Sequence, residues 1–230
     1  MPGTSAASAR DTMTVDPFRL AIALVPLAAY VLLLGLLNLR RRPFLTSGGC
    51  DVAALGVALS GLMFAGPLEL FRPEAATRSF GNYIWLFMVL FYWLSLVLLV
   101  LLARPRLVIY NISAEELHPI LAETANRLDP TGRWAGNNLS LPGLGVQLHL
   151  DSLDIMRNVS LVASGGRQNL DGWRRLAREL GRSLSKMRVR ANPRAVGLLV
   201  VSLALFVICV THLLIHPAEL VQAMNDVFAY

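Results

Sequence analysis

Four continuous apolar runs divide the chain: Leu20–Leu39, Val52–Phe71, Tyr83–Ala103 and Ala195–Ile215. A helix crosses a hydrocarbon core of ~30 Å with ~20 apolar residues, and each run has about that length. The pattern predicts an integral membrane protein with four transmembrane α-helices. A polar stretch, Arg104–Arg194, lies between the third and fourth runs and is expected to be its sizeable water-facing part. Residues 1–17 read as a disordered N-terminal segment, residues 18–103 as the first three spans and residues 216–230 as a short tail.

Inside the polar stretch the pattern becomes mixed. Arg106–Ile112 is rich in β-branched and aromatic residues and predicts a strand. Ser113-Ala-Glu-Glu116 is a capping box. Behind it Leu117, Ile120, Leu121, Thr124 and Leu128 make one apolar helical face that ends at Asp129-Pro-Thr-Gly132. Short strands are expected at Arg133–Ala135, Leu139–Leu141, Leu144–Leu150 and Asn158–Ser164. The last two alternate apolar and polar positions, as strands with one buried face do. A closing helix, Asp171–Met187, puts Trp173, Leu176, Ala177, Leu180, Leu184 and Met187 on one face and Arg174, Arg175, Arg178, Arg182 and Lys186 on the other. The fold expected for the insert is a small α+β domain: an antiparallel sheet with both helices on one face.

The second run is unusually rich in small residues. Gly56, Ser60, Gly61 and Ala65 are spaced for close helix contact, which predicts a place in the middle of the bundle. Gly66-Pro67 predicts a kink, with Glu69 beyond it near Arg72. In the third run Tyr92 and Trp93 fall near mid-span and require hydrogen-bond partners from neighbouring helices.

Charge gives the spans an orientation. The chain has 230 residues and a net charge of +6. Arg104–Arg194 holds fourteen Lys and Arg against eight Asp and Glu, so the whole excess lies there. Arg40-Arg41-Arg42 follows the first run, Arg104 and Arg106 follow the third, and Lys186, Arg188, Arg190 and Arg194 precede the fourth. Positive residues mark the cytoplasmic side. The expected topology therefore has both termini outside, with the first loop and the insert in the cytoplasm. Among 21 basic residues only Lys186 is a lysine, a bias consistent with GC-rich bacterial coding and a bacterial inner membrane. The sequons at Asn111, Asn138 and Asn158 then face the wrong compartment for glycosylation.

Candidate chemistry is sparse. Cys209, His212 and His216 share one face at the outer end of the fourth run, a weak metal constellation. The zinc-protease pattern needs a Glu directly after the first His, where this chain has Leu213. The two cysteines, Cys50 and Cys209, are placed too differently to pair. No P-loop, nucleophile elbow or dinucleotide fingerprint occurs. Ser164-Gly165-Gly166-Arg167 lacks phosphate-loop spacing and reads as a turn. His118, His149, Asp151 and Asp154 have no evident catalytic partner. No catalytic residue, cofactor or nucleic-acid partner is therefore expected.

The basic face of the last insert helix (Arg174, Arg175, Arg178, Arg182, Lys186) is the expected membrane-surface contact, facing anionic headgroups. The function expected is a multi-pass membrane protein whose cytoplasmic domain is a non-catalytic interaction or assembly module, with a protein partner also able to use that domain. A channel or transporter component is one alternative. A membrane-bound enzyme or metal-binding protein using the outer end of the fourth helix is the other.

Overall fold

The long helices lie where the apolar runs do. In the computed structural model, described for residues 17–66, 83–153, 156–166, 168–190, 192–215 and 217, the chain begins with α1 (Pro17–Leu39), β1 (Phe44–Ser47) and α2 (Gly48–Ala65). It continues with α3 (Tyr83–Leu102), β2 (Arg106–Tyr110), α4 (Ala114–Leu128), β3 (Arg133–Ala135) and β4 (Asn138–Leu141). After a 3-10 turn at Pro142–Leu144 come β5 (Val146–Leu153), β6 (Asn158–Ala163), α5 (Leu170–Ser185) and α6 (Arg194–Ile215). Four of these helices, α1, α2, α3 and α6, are long and apolar enough to cross a membrane. The expected kink at Gly66-Pro67 and the pairing of Glu69 with Arg72 lie outside the described residues, as do the N-terminal segment and nearly all of the tail.

Helix α1 packs against both α6 and α2, and α2 against α3, so α1 and α2 are the inner pair. The contact between them follows from one proline. Pro26 lies inside α1 and has no N–H, so the carbonyl of Ile22, four residues back, loses its helical donor. Gly61 of α2 comes in beside that carbonyl; a Cβ added at Gly61 would lie 1.9 Å from the Ile22 oxygen. Only glycine permits that approach. Tyr92 of α3 finds the partner its depth demands by donating to the Gly56 carbonyl at 2.6 Å, and its ring stacks edge-on with Phe64. Ser202 of α6, fully buried, donates to the Ala28 carbonyl at 2.9 Å. Helix α3 itself has no buried residue, and Phe91, Leu94, Leu101 and Leu102 are largely exposed.

The sheet has six antiparallel strands in the order β1-β2-β6-β5-β4-β3. Five are the strands expected from the sequence, two of them by their alternation. The sixth, β1, comes from the connection between α1 and α2 and pairs with β2 as Phe44↔Tyr110 and Ser47↔Leu107. The sheet is thus not built from residues 104–194 alone. Leu144, expected in a strand, belongs to the 3-10 turn, which closes at Gly145 with a positive φ of 62°.

One face of the sheet carries the core. Leu107, Ile109, Leu139, Leu141, Val146, Leu148, Leu150, Val159 and Leu161 all point there. They meet Leu117 and Leu121 of α4 and Trp173, Leu176, Leu180 and Leu184 of α5. Fully burying one such side chain is worth ~1.5–3 kcal/mol. Both helices start on caps: Ser113 and Glu116 form the predicted capping box, and Asn169 accepts from the Asp171 and Gly172 N–H groups.

Candidate functional site

A group of described residues that combines charge, burial and hydrogen bonding lies where the sheet meets the helix bundle. Three carbonyls at the end of α1 receive donors from distant parts of the chain. Asn38 accepts from the Asn192 N–H at 3.3 Å, and Arg41 from the Val189 N–H at 3.0 Å. Arg40 accepts from the Asn111 side-chain amide at 2.5 Å. Asn38, Asn111 and Asn192 are all buried. Asn111 holds a left-handed backbone, φ 61°, which asparagine tolerates better than most residues. Its amide is thereby turned back to α1, and this sequon is buried in the fold.

A second knot lies beside the first. Arg157, also left-handed at φ 52°, pairs with Glu116 at 2.7 Å and donates to the Arg190 carbonyl at 3.3 Å. Its own carbonyl accepts from Ile112, and Asn192 reaches the Met156 carbonyl. Glu116 therefore both caps α4 and holds the segment that leads into α6.

The opposite face of β2 rests on the bundle. Arg106, Val108 and Tyr110 alternate onto that face, and α2 packs against it. Asp51, in the first turn of α2, accepts a short hydrogen bond from the Tyr110 hydroxyl and an ion pair from Arg106 at 3.2 Å. Burial, and then the bond to Asp51, push the Tyr110 phenol well above the usual tyrosine range; the nearby Arg106 charge opposes this only in part. The phenol stays protonated at neutral pH and donates, so the carboxylate is fixed between one neutral and one charged donor.

Next to this clasp a cleft of about 290 Å³ opens between the helix ends and α5. Val100, Ala103 and Gly49 form the wall from the long helices, and Leu170, Trp173, Arg174 and Ala177 form the wall from α5. Arg104 and Arg106 lie at its base with Ser47, Pro105 and Leu107. Three arginines line it and no acidic residue does. Arg106 is held by Asp51, Arg174 forms an exposed pair with Asp171 at 3.1 Å, and Arg104 has no ion pair among the described residues.

The expected surface residues Arg174, Arg175, Arg178, Arg182 and Lys186 are all exposed on α5. The structure brings one of them, Arg174, to the ends of the long helices; Arg182 is paired with Glu179 on its own helix at 2.5 Å. Of the metal candidates, Cys209 is buried in α6 and His212 half-buried one turn further, while the side chain of His216 lies outside the described residues. Among the described residues no three His, Cys, Asp or Glu side chains come together as a metal cluster. His118 stacks on Trp134 with centroids 4.5 Å apart, and His149 bonds Asn138 at 2.9 Å. The turn at Ser164–Gly166 is fastened by Gln168, whose amide donates to the Ser164 and Gln147 carbonyls.

Asp51, Tyr110, Arg104 and Arg106 are the functional candidates that sequence reading left aside as such. A signal existed for Asp51: it follows Ser47, which caps α2 by accepting from the Cys50 N–H at 3.3 Å. A capping serine with an acid in the first turn marks a helix start, four residues earlier than the apolar run implies. Comparisons with protein-family models, with curated proteins and with solved structures find no match to this chain.

Proposed function

We propose that the chain is a multi-pass protein of a bacterial inner membrane. Its sheet domain serves as a cytoplasmic interaction and assembly module, held rigidly at the membrane surface. The membrane reading is supported by α3, which is apolar all round and has no buried residue. In water such a helix would expose apolar surface far beyond the few hundred Å² usual for soluble proteins; in a bilayer that surface faces lipid. The orientation rests on the arginines. The segments at 40–42, 104–106 and 186–194 converge on the sheet-bearing end of the bundle, and that end is the cytoplasmic one by the positive-inside bias. Both termini then lie outside.

The observation that carries the functional reading is the junction. Hydrogen bonds at Asn38, Arg40 and Arg41, together with the Asp51–Arg106 pair, fasten the domain to the bundle at several points. A domain so fastened presents a fixed surface, including the basic face of α5, at a fixed height above the bilayer. That suits holding a partner in place, with anionic headgroups as its lipid contact.

Two experiments test this. With Cys50 and Cys209 replaced by serine, cysteines placed at Ser5 and Ser164 are treated with a membrane-impermeant thiol reagent in intact cells. Labelling at 5 and protection at 164 is expected; the reverse refutes the orientation. For the module, partners retained on native purification from membranes are compared between the wild type and R175E/R178E. A protein held by the wild type and lost from the variant is expected, and identical retention on both rules out α5 as the assembly surface.

A further inference from the structure

We infer that the cleft between the helix ends and α5 is a binding site for the headgroup of an anionic phospholipid, gripped by Arg104, Arg106 and Arg174. This deepens the proposed function and rests on its premise that α2 and α3 are inserted in a membrane.

Position is the first argument. One wall of the cleft is the last turn of α3, at Val100 and Ala103. If α3 spans the bilayer, the cleft lies at headgroup level with no freedom to lie elsewhere. Leu101 and Leu102 beside it are 75% and 74% exposed, and Leu94 and Leu98 continue that exposed surface along α3. A lipid with its headgroup in the cleft can therefore run its acyl chains down α3.

Charge is the second. Three arginines line a space of about 290 Å³ and no acidic residue does. Ligand clefts usually enclose ~300–1,000 Å³; this one suits a phosphate-bearing headgroup and is too small for a whole lipid. Arginine forks match phosphate oxygens in pairs. Arg104 has no ion pair among the described residues, and the exposed Arg174–Asp171 pair is weak enough to yield its guanidinium. Arg106 is already positioned by Asp51, and Gly48 gives its side chain room: a Cβ there would come within 2.8 Å of the Arg106 Nε. The apolar part of the α5 wall, at Leu170, Trp173 and Ala177, favours an amphipathic ligand over a free ion, because it matches the first methylenes of an acyl chain and not a hydrated phosphate.

The test uses the full-length protein, purified in a neutral detergent and stripped of lipid. Its melting temperature is followed against added phosphatidylglycerol, phosphatidylcholine or inorganic phosphate. Phosphatidylglycerol should raise the melting temperature saturably, and the other two should not. In R104Q/R174Q the half-saturating concentration should rise about fivefold for each guanidinium removed, while R127Q/R133Q, at two exposed arginines outside both the cleft and the basic face of α5, should respond like the wild type. A photoactivatable phosphatidylglycerol should label the peptide around Leu170–Ala177, a readout that needs no variant. An equal response to phosphatidylcholine or to phosphate, an unchanged response in R104Q/R174Q, an equal loss in R127Q/R133Q, or labelling confined to other peptides would each overturn the site. Alkaline carbonate extraction of the source membranes separates the two levels. Release of the chain refutes the membrane premise itself, whereas retention without a phosphatidylglycerol response refutes only the lipid site.

Discussion

Replacing Tyr110 by phenylalanine should loosen the join between sheet and bundle by an amount that the geometry sets. Tyr110 is 6% exposed and its hydroxyl donates to the Asp51 carboxylate. A hydrogen bond to a charged group is worth ~1.5–3 kcal/mol. The Asp51 side chain is 22% exposed, so water can partly replace the lost donor, and the lower part of that range, ~1.5–2 kcal/mol, is expected for Tyr110→Phe. Asp51→Asn keeps an acceptor for Tyr110 but removes the charge opposite Arg106, a half-exposed pair worth ~1 kcal/mol or less. Asp51→Ala removes both contacts and leaves the buried phenol without an acceptor. The double variant should then cost clearly less than the sum of its parts, with a coupling of ~1.5 kcal/mol. Thermal unfolding of the full-length protein in detergent, read by near-UV circular dichroism, measures this. At ~2–4 °C per kcal/mol for a chain of this size, Tyr110→Phe should lower the midpoint by ~3–8 °C. The pH dependence has a definite sign. The folded phenol titrates above the unfolded one, so its contribution is complete below pH ~10 and is lost as pH rises through the folded value. A Tyr110→Phe midpoint within 1 °C of wild type, or additive single effects, would refute the clasp.

Three other substitutions probe separate parts of the fold. Gly61→Val should drive α1 and α2 apart, because its Cβ would sit 1.9 Å from the Ile22 oxygen; a sharp drop in monodisperse yield and melting temperature on size exclusion is expected, with Gly197→Ala, which meets nothing within 4 Å, as the neutral control. Ser113→Ala should cost ~1 kcal/mol by removing the acceptor for the Glu116 N–H, visible as a lower denaturation midpoint. The Thr131 hydroxyl, together with the Thr131 and Gly143 N–H groups, holds the Asp129 carboxyl below the ordinary aspartate range. The stability this supplies is present above the unfolded pKa of ~3.9 and is lost as pH falls through the folded value, so melting curves between pH 3 and 7 should be flatter for Asp129→Asn.

How much of this was legible in the sequence depended on the length of each signal. Runs of about twenty apolar residues and the alternation in Val146–Leu150 and Asn158–Ala163 are long patterns, and the structure follows them closely. Strand β1 has four residues, too few for a period to show. It lies between an arginine triplet and an apolar run that together dominate any window. Its punctuation was there: Pro43 before it, Gly48-Gly49 after it, and Phe44 and Thr46 as strand formers. The clasp was hidden for another reason. Arg106–Tyr110 reads as one apolar strand because both faces are covered, one by the core and one by the bundle. Arg106 and Tyr110 become interpretable only once Asp51 is known to lie opposite. The arginine cleft needed the same step, since Arg104 and Arg174 are 70 residues apart and meet only through the fold.

The position of β1 has a mechanical consequence. It is covalently continuous with α1 and α2, yet it hydrogen-bonds to β2, whose Arg106 and Tyr110 hold Asp51 of α2. A shift of the sheet relative to the bundle must therefore stretch the β1–β2 ladder, break the Asp51 contacts, or move α1 and α2 with it. The ladder is continuous through β6 and β5, so the sheet resists the first. The second leaves the Asp51 carboxylate and its two donors, the Tyr110 hydroxyl and the Arg106 guanidinium, unpaired in a poorly solvated place, at a cost of the order of 1–3 kcal/mol for each. The third disturbs the Pro26–Gly61 contact, where there is no slack for a methyl group. Forces applied at the domain are thus transmitted to the inner helix pair and not absorbed by a linker. A headgroup bound at Arg106 would act on the same residue that Asp51 uses. By linkage, a ligand that draws Arg106 away from Asp51 must bind more tightly once the clasp is cut, so Asp51→Ala, which also removes a nearby negative charge, should raise phosphatidylglycerol affinity although Asp51 does not line the cleft.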